Sequence, residues 1–158
     1  MLITEENFYE IIQDMWTSTL GFPVDHPPSV QFSALGAFTA CVKITGAWDG
    51  EVRLHCPPPL ARLIAGAIFQ VEADKVGSEE ILDALGELTH IIGGNLKGLL
   101  PQPVTISLPS LLDPGGSAQT AANRAMVCQL TLLSEGHPFV VAILREIPPA
   151  VEAKAKIA

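Results

Sequence analysis

The chain has 158 residues, of which 48 % are hydrophobic and only 16 % charged, and its formal net charge is −8. This length and composition predict one globular domain, residues 1–158, with a sizeable core and no disordered character. Because nucleic-acid binding depends on clustered Lys and Arg, a chain this acidic argues against a nucleic-acid partner.

Targeting segments and metal clusters are also not expected. The opening "MLITEENFYEII" is acidic and lacks the charged-then-apolar pattern of a signal peptide. No apolar run reaches the roughly 18 residues that cross a bilayer, so we expect a cytoplasmic protein without a membrane partner. Cys41, Cys56 and Cys128 form no CxxC pair and no zinc spacing, and we expect them to be reduced thiols in the core.

The first half of the chain predicts a helix, a hairpin and a second helix. Thr4 is a good N-cap for "EENFYEIIQDMWTSTL", whose apolar residues recur at helical spacing until Gly21 and Pro23 end it. "GAFTACVKITGAWDGEVRLHC" alternates apolar and polar residues on both sides of "GAWDG", which indicates two strands joined by a turn. After three prolines, "LARLIAGAIF" predicts a short apolar helix.

The second half predicts a long helix and three strands. Ser78 is the candidate N-cap of a helix that runs to Leu100 and is closed by Pro101. "VTISLP" indicates a strand, "SLLDPGGSAQTAANR" a loop, and "AMVCQLTLLSEGHPFVVAILRE" a second hairpin, before a tail, about 148–158, that we expect to be frayed. This order predicts the α+β class, with an antiparallel or mixed sheet and long helices packed on one face.

The long helix has two distinct faces. Its apolar residues recur three or four positions apart and should face the core: Ile81, Leu85, Leu88, Ile92, Leu96 and Leu99. The opposite face then holds Asp83, Glu87, His90, Gly94 and Lys97. Asn95 falls on the flank of the apolar stripe, where we interpret it as a structural hydrogen-bonding residue.

Glu87 and His90 are neighbours on this exposed face, three residues apart. From spacing alone a solvated helix face is the commoner explanation. A zinc site would need three or four ligands, and no GxSxG nucleophile motif is present. Gly93 and Gly94 cost the helix roughly 1 kcal/mol each relative to alanine. That cost is easier to understand if another molecule must approach the helix closely.

Two stretches resemble a known family. "DALGELTHIIGGNLKGLL", residues 83–100, resembles the signature helix of the CheX and CheC phosphatases of bacterial chemotaxis, which carries Glu-x-x-Asn, then Gly-Asn and a basic residue. "ITGAWDGEVRLHCPPPLARLIAGAIF", residues 44–69, is similar to the hairpin and following helix of CheX. The resemblance covers roughly residues 38–145, and the single motif looks more like CheX than the internally duplicated CheC.

The resemblance implies a CheX-like fold and a specific activity. Such proteins remove the phosphoryl group from the aspartyl phosphate of the response regulator CheY, in two-component signalling. The motif Glu anchors the regulator's active-site lysine, and the motif Asn orients the attacking water. The regulator brings the Mg²⁺, so the phosphatase has no cofactor of its own. Asp83, Gly94 and Lys97 would face the partner, and proteins resembling CheX commonly form homodimers through their sheets.

This sequence departs from the family motif at one position. Glu87 matches the motif Glu, but His90 stands where the family has Asn, and Asn95 matches only the separate Gly-Asn step. Neutral histidine can donate and accept hydrogen bonds, so it could orient water or act as a general base, a role worth about 10²–10⁴-fold. It could equally clash, or carry charge in acid. Two hypotheses follow: a phosphatase with Glu87 and His90 as catalytic residues, or a non-catalytic CheX-fold module that binds a response regulator or motility component.

Overall fold

A computed structural model describes residues 3–112 and 123–147 of the chain. These residues form three α-helices and six strands, which confirms the α+β class. The helices are α1 (Glu5–Leu20), α2 (Pro58–Phe69) and α3 (Ser78–Leu96), with 3₁₀ turns at Ala73–Lys75 and Lys97–Leu99. The strands are β1 (Phe38–Gly46), β2 (Gly50–Cys56), β3 (Val104–Ile106), β4 (Ser110–Leu112), β5 (Arg124–Ser134) and β6 (His137–Glu146). The predicted frayed tail lies outside the described residues.

The strands form one sheet in the order β3-β1-β2-β6-β5, and β4 pairs with β1 farther along the same edge. Every ladder among the described strands is antiparallel. Both predicted hairpins are confirmed. The β5–β6 turn places Glu135 and Gly136 at φ 51° and 78°, a left-handed conformation that glycine adopts without strain.

The first helix forms as its sequence predicts. The Thr4 hydroxyl accepts a hydrogen bond from the Asn7 backbone N–H (3.1 Å), and the Asn7 side chain accepts one from Thr4 N–H (2.8 Å). Gly21, at φ 75°, ends the helix. Helical spacing did not single out Trp16, which is fully buried, donates to Ser134 Oγ (3.0 Å) and stacks on Phe139. Trp16 therefore ties α1 to the β5–β6 hairpin.

Two predicted boundaries of the long helix are wrong. The N-cap is Gly77 rather than Ser78, and the Glu80 carboxylate accepts a hydrogen bond from the Gly77 N–H (3.0 Å). The α-helix ends at Leu96 rather than Leu100, and the chain continues as a 3₁₀ turn. The Gln102 amide donates to the carbonyls of Lys97 and Leu100, which stabilises this tighter turn.

The region after the helix also differs from its prediction. Only Val104–Ile106 of "VTISLP" is a strand. At Ser107 the backbone N–H still donates to the Lys43 carbonyl (2.9 Å), but the Lys43 N–H donates to the Ser107 side-chain Oγ (2.9 Å), so the regular ladder stops there. Ser110–Leu112, predicted as loop, forms β4 because it reaches the unpaired edge of β1. Residues 113–122 of that predicted loop lie outside the described residues.

Helices cover one face of the sheet, and that layer contains the core. Strand β1 buries alternate residues there, and β2 buries Val52, Leu54 and Cys56 toward the same layer. Of the three free cysteines, Cys56 and Cys128 are buried, as expected, whereas Cys41 is only half-buried. Burial raises the pKa of the Cys41 thiol to about 12, so it stays protonated at neutral pH.

The other sheet face carries a buried charged cluster. Glu51, only 2 % exposed, forms ion pairs with Arg53 and Arg124, and the Cys41 thiol donates a hydrogen bond to it (3.0 Å). Burial alone would raise the pKa of the Glu51 carboxyl. Hydrogen bonds from Arg124 and Cys41, with the charges of both arginines, outweigh burial and lower it. Glu51 is therefore ionised at neutral pH and balances two cations.

We expect Glu51→Gln to lower the free energy of unfolding by about 3–5 kcal/mol at pH 7, because the buried Arg53 and the partly buried Arg124 lose their counter-charge. Since folding lowers the pKa of Glu51, its contribution is present above the carboxyl's ordinary pKa and is lost as pH falls through the folded value. The difference between variant and native protein should therefore shrink in acid. Urea unfolding at several pH values measures this, with Glu135→Gln in the exposed turn as control. Equal effects of the two changes would contradict the expectation.

Candidate functional site

The exposed face of α3 carries the candidate site. Asp83, Glu87, His90 and Gly94 are all exposed along it. The opposite side packs into the core, where five residues are at most 5 % exposed: Ile81, Leu85, Leu88, Ile92 and Leu96. Leu99, the sixth residue of the predicted stripe, is only partly buried because it lies on the 3₁₀ turn. The apolar stripe thus fixes which side chains α3 presents outward.

Lys97 follows the last residue of α3. It is the first residue of the 3₁₀ turn and is half-buried. Lys97 therefore lies at the end of the exposed face and not within it.

Glu87 and His90 lie one helical turn apart and point away from the core. Within the described ranges, neither side chain has a hydrogen-bond or ion-pair partner. Thr89, which directly precedes His90 in the chain, is buried, and its hydroxyl donates to the Leu85 carbonyl (2.7 Å). A carboxylate and an imidazole are thus available together on a rigid helix, where they can contact another molecule.

The two adjacent glycines have different surroundings. A Cβ on Gly93 would lie 3.2 Å from Val42 Cγ2 and 3.4 Å from Ile106 Cδ1, so Gly93 lets the helix pack closely on β1 and β3. A Cβ on Gly94 would meet nothing within 4 Å. Internal packing therefore accounts for Gly93, and the hypothesis of close approach by another molecule applies to Gly94 alone.

Other parts of the chain flank the exposed face on both sides. On the sheet side, Gly86 lies against Pro109 and Leu111, where an added Cβ would be 3.1 Å from Pro109 Cγ. On the other side, α1 and α3 border a groove of about 340 Å³, the α1–α3 groove. Its lining residues are Ile11, Asp14, Met15, Ser18, Thr19, Ile91 and Asn95.

Sequence reasoning missed this groove. Helical spacing places residues on one helix but does not say which two helices are neighbours. One signal was available, since Ile91 is a large apolar residue outside the buried stripe of α3. Asn95 is exposed at the groove, and its amide donates to the Ile91 carbonyl one turn earlier (2.9 Å).

Metal-ligand clusters and membrane-spanning helices are both absent from the part of the chain that the structure describes. No group of three or more His, Cys, Asp or Glu residues there is arranged to hold a metal ion. None of the described helices is both long enough and apolar enough to cross a membrane.

The family model named Chemotaxis phosphatase CheX matches residues 38–132, which include β1, α3 and most of β5. The chain belongs to the CheX family. The helix α1 and the acidic residues it carries lie outside the matched range. The comparison with curated proteins found no significant match.

Solved structures have the same fold. The chain is similar to chemotaxis protein CheX from Vibrio vulnificus, with TM-score 0.72, 14 % identity, and coverage of 88 % of this chain and 93 % of that one. For CheX from Desulfovibrio desulfuricans the TM-score is 0.69 and the identity 17 %, with 89 % of this chain and 97 % of that one covered. For the matching chain of the CheX–CheY–BeF3–Mg²⁺ complex from Borrelia burgdorferi the TM-score is 0.67 and the identity 18 %, with 92 % of this chain and 100 % of that one covered. At these identities the similarity establishes the fold.

We expect Gly93→Ala and Gly94→Ala to change stability in opposite directions. Gly94→Ala should raise the free energy of unfolding by up to about 1 kcal/mol, because alanine is the better helix former and the position is open. Gly93→Ala should lower it, because overpacking against Val42 and Ile106 costs about 1–3 kcal/mol. Chemical denaturation of both variants measures the difference. A stabilised Gly93→Ala protein would show that the sheet can yield at this contact.

Proposed function

We propose that this chain is a CheX-type phosphatase that hydrolyses the aspartyl phosphate of a CheY-type response regulator. The single observation that carries the proposal is the exposed Glu87–His90 pair on α3, in a chain that belongs to the CheX family. Glu87 stands at the position of the family's anchoring carboxylate. His90 stands at the position of the water-orienting asparagine.

The chemistry requires little covalent work from the phosphatase. A water oxygen attacks the phosphorus, the bond from phosphorus to the aspartyl oxygen breaks, and the aspartate leaves as a carboxylate with inorganic phosphate as the second product. Because an acyl phosphate is already reactive, catalysis comes mainly from placing the water in line with the leaving oxygen. The proton of the water passes to the imidazole of His90 or to a phosphate oxygen.

Each residue of the exposed face has a defined role in this proposal. Glu87 forms a charge-assisted hydrogen bond with the regulator's active-site lysine and so fixes the helix in the cleft. His90, one turn away, accepts a hydrogen bond from the attacking water through the unprotonated ring nitrogen. Gly94 lets the regulator's backbone approach the helix, and Asp83 and Lys97 contact the regulator at the two ends of the face.

The proposal includes the partner and its metal. The regulator supplies both the phosphoaspartate and the Mg²⁺ that balances phosphate charge, so the phosphatase has no cofactor of its own. The protein acts in the cytoplasm, where response regulators are phosphorylated, and forms a homodimer through its sheet.

A second function is favoured by one observation, the replacement of the motif asparagine by His90. An imidazole is longer and more rigid than a carboxamide, and in this second function it displaces the attacking water from the in-line position. The chain would then bind a phosphorylated regulator, or a motility component, through the same face of α3 without hydrolysing an aspartyl phosphate.

We expect the native protein to speed loss of phosphate from a phosphorylated CheY-type regulator of its own organism. Glu87→Ala and His90→Ala should each lower that rate by about 10²-fold or more, because anchoring and water placement are lost. Release of inorganic phosphate at saturating regulator measures the effect. Gln13→Ala, an exposed change on α1, is the control.

His90→Asn separates the two functions. If His90 performs the asparagine's role, His90→Asn should retain activity while His90→Ala loses it. An inert native protein that gains activity on His90→Asn would instead establish the non-catalytic module. An inert native protein that stays inert and binds no regulator would reject both.

The proposed homodimer has its own test. We expect sedimentation equilibrium at micromolar concentration to give a mass near twice the 16.8 kDa of one chain. A concentration-independent mass of one chain would reject dimer formation and leave the phosphatase proposal intact, because Glu87 and His90 both lie on α3 of a single chain.

A further inference from the structure

The α1–α3 groove opens directly beside the proposed catalytic face. Two of its lining residues, Ile91 and Asn95, are the chain neighbours of His90 and Gly94. The absence of a side chain at Gly94, where nothing lies within 4 Å of an added Cβ, leaves the surface between groove and catalytic face unobstructed. A protein that docks on Glu87 and His90 would therefore also lie over the groove.

The lining of the groove is divided by chemistry. Its floor is apolar, formed by Met15, which is 5 % exposed, and by the partly buried Ile11 and Ile91. Its polar residues, all exposed, are Asp14, Ser18, Thr19 and Asn95. Such a combination suits a side chain with an apolar stem and a polar end group.

The polar atoms that remain free at the groove are mainly acceptors. One N–H of the Asn95 amide donates to the Ile91 carbonyl (2.9 Å), which leaves the second N–H and the side-chain oxygen for another molecule. The Ser18 hydroxyl donates to the Met15 carbonyl (3.2 Å), which leaves its lone pairs. Asp14 adds a carboxylate, which accepts only. Together with the Thr19 hydroxyl, which can donate or accept, these acceptors around an apolar floor match a group that has donors only, and Lys and Arg are the long side chains of that kind.

The surrounding charge favours the same occupant. Residues 5–20 and 58–100, which form the helical layer, contain ten Asp and Glu but only three Lys and Arg. The potential over this layer is therefore negative, and it attracts a cationic side chain while it repels an anionic one.

We propose that the α1–α3 groove binds a lysine or arginine side chain of the phosphorylated regulator that docks on Glu87 and His90. The inference rests on the proposed function and adds a second contact to it, separate from the reacting phosphate. The aliphatic stem packs on Ile11, Met15 and Ile91, and the cationic head bonds to the Asp14 carboxylate and the Asn95 oxygen. The groove thus contributes to affinity and to choice of regulator, and it takes no part in the chemical step.

The first arm of the test changes charge. Binding is measured to the regulator with beryllofluoride in place of the phosphoryl group, at low and high salt. Asp14→Lys should weaken binding about tenfold or more, because it puts a cation where one must bind. Glu10→Lys, the same charge change one turn away on α1 and outside the groove lining, should weaken it less than about threefold, through the overall field alone.

The second arm changes shape without charge. Ser18→Phe should fill the groove and weaken binding about tenfold, whereas Gln13→Phe, on another face of α1, should not. Circular dichroism checks that each variant is folded. In the phosphate-release assay, both groove variants should raise KM and leave kcat near the native value, whereas His90→Ala lowers kcat.

The outcomes separate the two proposals. Suppose that the native protein binds the regulator. If Asp14→Lys and Glu10→Lys then weaken binding equally, or if Ser18→Phe does not weaken it, the proposed function stands but the groove contact is overturned. A fall in kcat with unchanged KM in the groove variants would also overturn it. If the native protein binds no regulator, both proposals fail together. Rescue of Asp14→Lys by changing one regulator Lys or Arg to Glu would identify the occupant.

Discussion

Five apolar side chains of α3 lie against the sheet and neighbouring helices and hold this helix at one rotation. Each such burial stabilises the fold by about 1.5–3 kcal/mol, so a turn of the helix that exposed even two of them would be strongly unfavourable. Glu87 and His90 are outward for this reason alone, since no described hydrogen bond holds either side chain there. The position of the site is thus a by-product of core packing, and its side chains stay free for a partner.

The sheet supports the site in a second way. Strand β1 pairs with β2 on one side and with both β3 and β4 on the other, so it forms a continuous surface under α3. Gly86 and Gly93 allow the helix to approach this surface and the Pro109–Leu111 segment closely. Proteins use glycine in a helix only where the gain exceeds the lost propensity. Here two of the glycines of α3 serve internal contacts, whereas the position of Gly94 is open.

Much of this arrangement was predictable from the sequence, and the failures have physical causes. Alternation and helical spacing located both hairpins and the outward face of α3, because strong periodicity reflects burial directly. Strand β4 was missed because three residues beside Gly and Pro carry no periodic signal, and only the open edge of β1 makes them a strand. The end of α3 was predicted four residues too late because Leu99 continues the apolar spacing of the helix into the 3₁₀ turn. The α1–α3 groove needed tertiary packing, which spacing within one helix cannot supply.

The exposed face of α3 is framed by distant parts of the chain, with α1 on one side and Pro109 and Leu111 on the other. Helix α1 ends at Leu20, far before α3 begins at Ser78, so the complete face exists only after the chain has closed a long loop. A synthetic peptide of residues 78–97 would contain Glu87 and His90 in the correct order. It would lack the sheet that orients them, and isolated helices of this length are marginal in water even when their sequences favour helix formation. Recognition of this surface by a partner is therefore also recognition of the folded state, and unfolded chains cannot compete for that partner.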